Sequence, residues 1–339
     1  MKANLYQLSY EIVKYGYYLK HGPNSSSLTK ALEINKGQLR RLRNMNGGIH
    51  SLNWLQYETK SGKQIANDVI AWYVQRNLPP EKLAFVLNRM SPVQIKNYLL
   101  RQSEENESTI SDTLVTWRDY LSMAKICCHD VTDEIIYRTS KLFQRHQELI
   151  DKLKQRERKK RVDEVSALYP GIQQILLRIK NKYTYQDDDY AMLVPESIED
   201  IVREGDSLHH CVATMNIYFK QIHDREAYIL FLRKRQAVKL PYYTIEAEPD
   251  GTVRQKHSEY DRVNSDIKQI EKFLSKWQKE VCKRIGEEEQ KLAEVSRQAW
   301  QQQVEILRNN HAVIQGGIYD GRLMADVLEE DIIENQEAA

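Results

Sequence analysis

SLHHCVATMNIYFKQIHDREAYILFLRKRQAVKLPYYTIEAEPDGTVRQKH, residues 207–257, decides how the second half of this chain folds. Ala227 to Arg233 is an unbroken apolar run of strand length, built from residues that suit a buried, pleated surface. Pro241 to Glu248 is a second such run. Pro249-Asp250-Gly251 supplies a tight turn, and Thr252 to Lys256 returns as a third strand. Upstream, the pattern from Leu208 to Asp224 predicts a helix whose first turn holds His209, His210 and Cys211. The block therefore reads as a small α+β module in which a helix leads into a three-stranded antiparallel meander.

Working outward, AMLVP at 191–195 is strand-like and Ser197 caps a helix start, so the module is expected to span residues 166–285. Ser265 to Asn310 carries one long helical pattern with Ile267, Ile270, Phe273, Leu274, Trp277, Val281 and Ile285 as its packed stripe. Gly316-Gly317 is expected to stop it, and an acidic tail at Asp326–Glu337 to hang loose, which makes 286–339 a helix continuation plus tail. The outer part of helix 265–310 is polar enough to project as an arm that recruits protein partners.

Residues 1–165 read as a mostly helical, basic region. Leu28 to Leu32 forms a short helix, Ile34 to Gly37 a turn, and Gln38 to Arg43 the start of a second helix, which is helix-turn-helix spacing. Lys36, Gln38, Arg40, Arg41 and Arg43 are the residue types that contact phosphates and base edges. A compact helical hairpin fits the same spacing. Further on, Ser91-Pro92-Val93-Gln94 is a helix cap with proline at the first helical position, and Asp133 is expected to open a long helix running through KLKQRERKKR at 152–161.

Composition sets the class. The 339 residues are 41% hydrophobic and 29% charged, with no apolar stretch of membrane-spanning length and no apolar signal core near Met1. Cys127, Cys128, Cys211 and Cys282 offer no CxxC pair, so a reducing cytoplasm is the expected setting and no membrane is involved. The formal charge of +2 conceals a split: residues 1–160 hold 26 Lys and Arg against 16 Asp and Glu, and the remainder holds 24 against 32. A basic first half suggests an anionic partner, nucleic acid and DNA in particular. Attraction between the two halves is the alternative.

The strings SLTKALEINKGQLRRLRNMNGG (27–48), MSPVQIKNYL (90–99), TWRDYLSMA (116–124) and RHQEL (145–149), followed by SLHHCV (207–212), ILFLR (229–233), PYYTIE (241–246) and RQ (254–255), resemble the PcfJ-like proteins, in the same order. The resemblance covers most of residues 25–282 and is most specific around His210-Cys211. It implies a conjugative plasmid, integrative element or phage context, and no particular reaction. Where members of that family usually have a glycine after the Gln255 strand, this chain has Lys256 to Asp261.

Three chemistries suit residues 207–260. Cys211 is a nucleophile if a base reaches it, but adjacent helical side chains diverge by about 100°, so His257 is better placed than His210. Histidines 209, 210, 223 and 257 with Cys211 suit zinc by type, yet CxxC and HxxxH spacings are absent; no metal is assigned and the cofactor is left open. A His, Tyr, Glu order (His210, Tyr243, Glu246) suits a nucleotide-like ligand, although strand alternation sets Tyr243 and Glu246 on opposite faces. The catalytic candidates are His210, Cys211, Glu246 and Gln255. Opposed to all three stands a packed module in which His210 is a bonded core imidazole and Cys211 a small hydrophobe. The expected function is nucleic-acid binding by the basic half with a ligand or catalytic site in the α+β module; an enzyme acting through Cys211 or His210, and a helical scaffold without chemistry, are the alternatives.

Overall fold

The computed structural model describes residues 4–16, 27–262, 264–315, 319–330 and 332–333. Contacts divide the chain into two units, Met1–Leu153 and Lys154–Ala339. The architecture is α+β: the first unit is helical and the second holds a sheet.

In the first unit the helices are α1 (Tyr6–Tyr15), α2 (Leu28–Ala31), α3 (Lys36–Asn44), α4 (Ile49–Ser61), α5 (Asn67–Gln75), α6 (Ala84–Leu87), α7 (Pro92–Glu105), α8 (Ile110–Ile126), α9 (Glu134–Tyr137) and the start of α10 (Leu142–Leu168). Caps written in the sequence fix several of them. Asn35 and Gln38 form a reciprocal capping box at α3, and Ser91 and Gln94 form another at α7. The expected long helix from Asp133 is interrupted: Asp133 caps only the short α9, and α10 begins at Leu142. Trp54, Tyr73 and Trp117 are fully buried, with Trp54 stacked on Tyr73 at 4.4 Å. Burying each such ring contributes about 2–3 kcal/mol. Their indole N–H groups are satisfied, Trp54 donating to the Leu78 carbonyl at 3.0 Å and Trp117 to that of Tyr137 at 2.8 Å.

The second unit continues α10 and adds α11 (Ile172–Tyr183), β1 (Tyr185–Gln186), β2 (Tyr190–Leu193), α12 (Ile198–Leu208), α13 (Asn216–Asp224), β3 (Tyr228–Lys234), β4 (Tyr243–Ala247), β5 (Val253–His257), α14 (Ile267–Cys282), α15 (Glu287–Asn309) and α16 (Met324–Glu330). The meander has five antiparallel strands in the order β1-β2-β3-β4-β5, not three. The runs at 227–233, 241–248 and 252–256 became β3, β4 and β5; β2 joins them across α12 and α13, pairing Met192 with Leu232. A bulge at Glu246/Ala247 shifts the β4–β5 register and lets Arg254 turn aside from the ladder. Ile333 closes an isolated bridge to Val253.

One face of the sheet carries Tyr190, Met192, Leu230, Leu232, Tyr243 and Ile245, and α14 covers it. Trp277, wholly buried, donates to the Tyr183 carbonyl at 2.7 Å, and Tyr190 donates to Asp266 at 2.8 Å. The expected continuous helix at 265–310 is divided at Lys283–Gly286, and α15 is the long C-terminal helix. The Gly316-Gly317 stop lies outside the described residues, and the first part of the expected loose tail, Asp326–Glu330, is helical within α16. The opposite sheet face carries Arg233, Thr244, Glu246, Gln255 and His257 beside Ile229 and Phe231, and the candidate site lies there.

Candidate functional site

The start of the helix expected over Leu208–Asp224 is instead a junction between two helices. Helix α12 ends at Leu208, and His209 takes the left-handed conformation (φ 56°) that terminates it. His210 is extended, Cys211–Ala213 forms a single 3₁₀ turn, and α13 begins only at Asn216. Two features hold the turn. Gly205 of α12 lies so close that an added Cβ would stand 2.5 Å from the Ala213 nitrogen. From α10, Arg161 donates to the carbonyls of Ala213 (2.9 Å) and Thr214 (3.0 Å) and to Asn216 Oδ1 (2.8 Å). Cys211 therefore sits in no α-helical first turn, and no helix N-terminus favours its thiolate. Its Sγ contacts the Tyr218 hydroxyl at 3.1 Å.

His210 points elsewhere. It is buried, and its Nε2 lies 2.9 Å from Thr244 Oγ1 on β4. The Thr244 hydroxyl also lies within hydrogen-bonding reach of the Glu204 carboxylate of α12 and helps to oppose the rise of that carboxyl. Glu204 in turn is paired with Arg233 of β3, Nη1 to Oε1 at 2.7 Å, with both side chains buried. Burial pushes the Glu204 carboxyl above its usual range, and the Arg233 guanidinium opposes that shift. The result is a continuous string, Arg233–Glu204–Thr244–His210. At its outer end opens a cavity of about 590 Å³, lined in part by Leu193, Arg203, Glu204, Phe231, Arg233 and Lys239.

Pairing extends the same face. Thr244 is opposite His257 and Glu246 opposite Gln255. The His210 and His257 rings are 5.7 Å apart, and His257 Nε2 lies 3.0 Å from Gln255 Oε1. Glu246 is buried against Arg254, whose Nη1 is 3.4 Å from its Oε1; Arg254 also bonds Glu248 at 3.1 Å and covers the Trp300 ring at 4.8 Å. Burial raises the Glu246 carboxyl, opposed by Arg254 and His257. Three of the four catalytic candidates, His210, Glu246 and Gln255, thus share one sheet face, and Cys211 is turned toward Tyr218. Tyr243 is on the other face, its hydroxyl accepting from the Asn264 N–H at 3.1 Å. Among the described residues no three His, Cys, Asp or Glu side chains converge as a metal site.

The rim is aromatic. His209 stacks on Tyr260 at 4.5 Å with the planes 13° apart, and Arg262 lies over the same ring at 5.4 Å. Both stacked residues have positive φ, 56° and 53°, a conformation that costs a non-glycine residue about 1–3 kcal/mol and persists where surroundings enforce it. Sequence reasoning missed Glu204 and Arg233. The signal was there: Glu204 falls on the apolar stripe of α12 with Ile201, Gly205 and Leu208, and Arg233 follows directly on the apolar run of β3.

On α3 the five nucleic-acid candidates divide. Lys36, Arg40 and Arg43 are exposed. Gln38 is buried, its Nε2 donating to the Leu55 carbonyl at 3.1 Å. Arg41 is held by both oxygens of Glu58 at 2.8 Å and by Asn67 at 2.8 Å. Spacings of four and three residues set the exposed cations on one face, and the other two anchor the helix to α4.

Residues 116–271 match the sequence model of the PcfJ-like protein family. A 59-residue stretch, 17% of this chain, is 39% identical to the uncharacterized protein Lin1253/Lin1744 of Listeria innocua serovar 6a, and it spans 13% of that protein's length. No solved structure matches the chain. No helix among the described residues is long and apolar enough to cross a membrane.

Proposed function

We propose, from the premise that this chain belongs to the PcfJ-like family through residues 116–271, that it is a cytoplasmic protein of a conjugative or other mobile element which binds DNA through its basic helical unit. The observation that carries the reading is the exposed row Lys36, Arg40 and Arg43 on one face of α3. Such a row meets phosphates without reading bases, and the counterions it releases make affinity fall steeply with salt. The short α2, the capped turn at Asn35 and the anchored α3 suit a helix-turn-helix presentation. The test is retention of a short generic duplex at graded salt. Replacing Lys36, Arg40 and Arg43 together by Ala is expected to make the logarithmic salt slope shallower by about 2–3, with the melting temperature unchanged. Absence of retention at low salt, or an unchanged slope, overturns the reading.

A second reading concerns the second unit, and the Arg233–Glu204–Thr244–His210 string favours it. A ligand entering the 590 Å³ cavity meets Arg233 and Glu204, with a proton path to His210 behind them. On this reading the unit adds a ligand or catalytic site, and Cys211 is dispensable. Thr244→Val removes the link with little change of volume. Loss of the element's transfer phenotype with the fold intact supports the reading; a phenotype lost only with Cys211→Ser refutes it. Partner recruitment by α14 and α15 has less behind it, because Ile270, Phe273, Leu274, Trp277 and Val281 are spent in the core and only scattered apolar groups such as Val295 and Ile306 remain exposed.

A further inference from the structure

The largest cavity described in the first unit, about 970 Å³, is lined by Arg101 of α7, Tyr120 of α8, His129, the α9 segment and the first turns of α10. We propose that it binds a nucleotide, with Lys141 and Lys152 as the cations that meet its phosphates and with its base laid on the apolar floor. The lining carries five cations, Arg101, Arg138, Lys141, Arg145 and Lys152, against Glu134 and Glu148. Two of those cations are matched locally, Arg138 by Glu134 at 3.0 Å and Arg145 by Glu148 at 2.8 Å, and Arg101 has Glu105 at 3.9 Å. Lys141 and Lys152 are exposed and make no ion pair within 4 Å among the described residues. The excess positive charge at the cavity is therefore concentrated on these two.

Helix periodicity sets these groups in a row along one wall, Lys141 and Lys152 being about 16 Å apart along the helix axis. Lys141 stands at the entry to α10, and Arg145, Glu148, Leu149 and Lys152 follow at helical spacing, which lines them along one face. The N-terminal end of this 27-residue helix adds its partial positive charge at Ser140 and Lys141, where the lining begins. The wall is rigid. Wholly buried Gln102 donates to the Ser140 carbonyl at 3.0 Å and accepts from the Leu142 N–H at 2.8 Å, and the Tyr98 hydroxyl donates to the Thr139 carbonyl at 3.0 Å. Below the cations, Tyr120, Ile136 and Leu149 form a largely apolar floor, and Ile135, 77% exposed, stands open to an occupant.

Cationic rim and apolar floor together select an anion with a flat, weakly polar body. The volume is at the upper end of the roughly 300–1,000 Å³ of small-ligand pockets, enough for on the order of one or two nucleotides and far too small for a double helix. The occupant is either a free nucleotide or an exposed nucleotide of a single strand. The inference rests on the nucleic-acid reading of the first unit but uses none of the α3 cations, so either can fail alone.

The test uses the full chain. Anisotropy of a labelled oligothymidylate of about eight nucleotides, and calorimetry with adenosine diphosphate, are measured at low salt. Lys141→Gln with Lys152→Gln is expected to weaken binding at least tenfold and, for the oligonucleotide, to make the salt slope shallower by about 1.4. The α3 triple variant should leave both affinities within twofold. Saturation by the diphosphate identifies a free nucleotide, and binding by the oligonucleotide alone identifies a strand; either supports the site. Absence of binding by both probes, affinity unmoved in the double variant, or equal competition by pyrophosphate overturns it.

Discussion

Replacing Gly205 by Ala ought to stabilise α12, since Ala is favoured over Gly in a helix interior by about 1 kcal/mol. The packing reverses that sign. The new Cβ would stand 2.5 Å from the Ala213 nitrogen, 2.7 Å from its Cβ and 3.1 Å from its Cα. These are mostly backbone atoms, which cannot rotate away, and ordinary contact begins at 3.4 Å, so the turn must retreat by about 0.9 Å. Arg161 holds that turn through three hydrogen bonds and resists the movement. His210 is its immediate neighbour, and its 2.9 Å bond to Thr244 does not survive a shift of that size. Overpacking costs about 1–3 kcal/mol and the lost buried bond about 1, against the gain of about 1, so a net loss of roughly 1–3 kcal/mol is expected. Urea unfolding of the full chain measures the total, and the imidazole nitrogen resonances of His210 report the local break. An Ala variant at least as stable as the parent, with those resonances unmoved, would show that α12 and the turn are not in the close contact described.

Arg161→Ala should cost about 2 kcal/mol, the range for hydrogen bonds to a charged group, and hydrogen exchange of the Cys211–Asn216 segment should accelerate before any other part of the second unit. The Glu246 carboxyl is raised above its unfolded value, so its contribution is fully present below about pH 4.5 and declines as pH climbs through the folded value. The stability of the parent relative to Glu246→Gln should accordingly fall from about pH 4 upward; a parent that gains on the variant as pH rises refutes the burial argument. Gln102→Leu leaves the Ser140 carbonyl and the Leu142 N–H without their partner in a buried setting and should cost about 2–4 kcal/mol by urea midpoint. Trp277→Phe should lose about 1–2 kcal/mol, the Tyr183 carbonyl being left unmet, as read from thermal unfolding.

Local patterns gave β3, β4 and β5 because each is an apolar or alternating run bounded by Pro, Gly or Asp, and the alternation along Thr244-Ile245-Glu246 predicted which side chains share a face. Strands β1 and β2 eluded the meander for a different reason. Two residues, Tyr185–Gln186, carry no periodic signal, and the pairing of β2 with β3 joins segments separated by two helices. The misplaced helix start has a similar cause. Apolar spacing continues from Leu208 into α13, and nothing in His209 announces the left-handed turn that a glycine would have marked. On α3 the residue types were legible but their direction was not: Gln38 and Arg41 look like phosphate contacts until Leu55 and Glu58 of α4 are brought beside them. Glu204 and Arg233 were hidden because each is unremarkable alone and acquires meaning only opposite the other.

The bridge between Ile333 and Val253 has a bearing on self-association. Strand β5 is one of the two edge strands of the sheet, and this bridge, with N–H to carbonyl distances of 3.0 and 2.9 Å, is a single-residue seal on its free side. Gln278 secures the seal from α14 by donating to the Ile333 carbonyl at 2.9 Å. An outer strand left bare is a template on which another chain can crystallise its own backbone bonds, and of the charged side chains on β5 Arg254 is buried, which leaves the half-buried Lys256 as the remaining deterrent. Shortening the C-terminus past Ile333 is therefore expected to bare that edge and to make association rise with concentration, even though no residue of the candidate site has been touched.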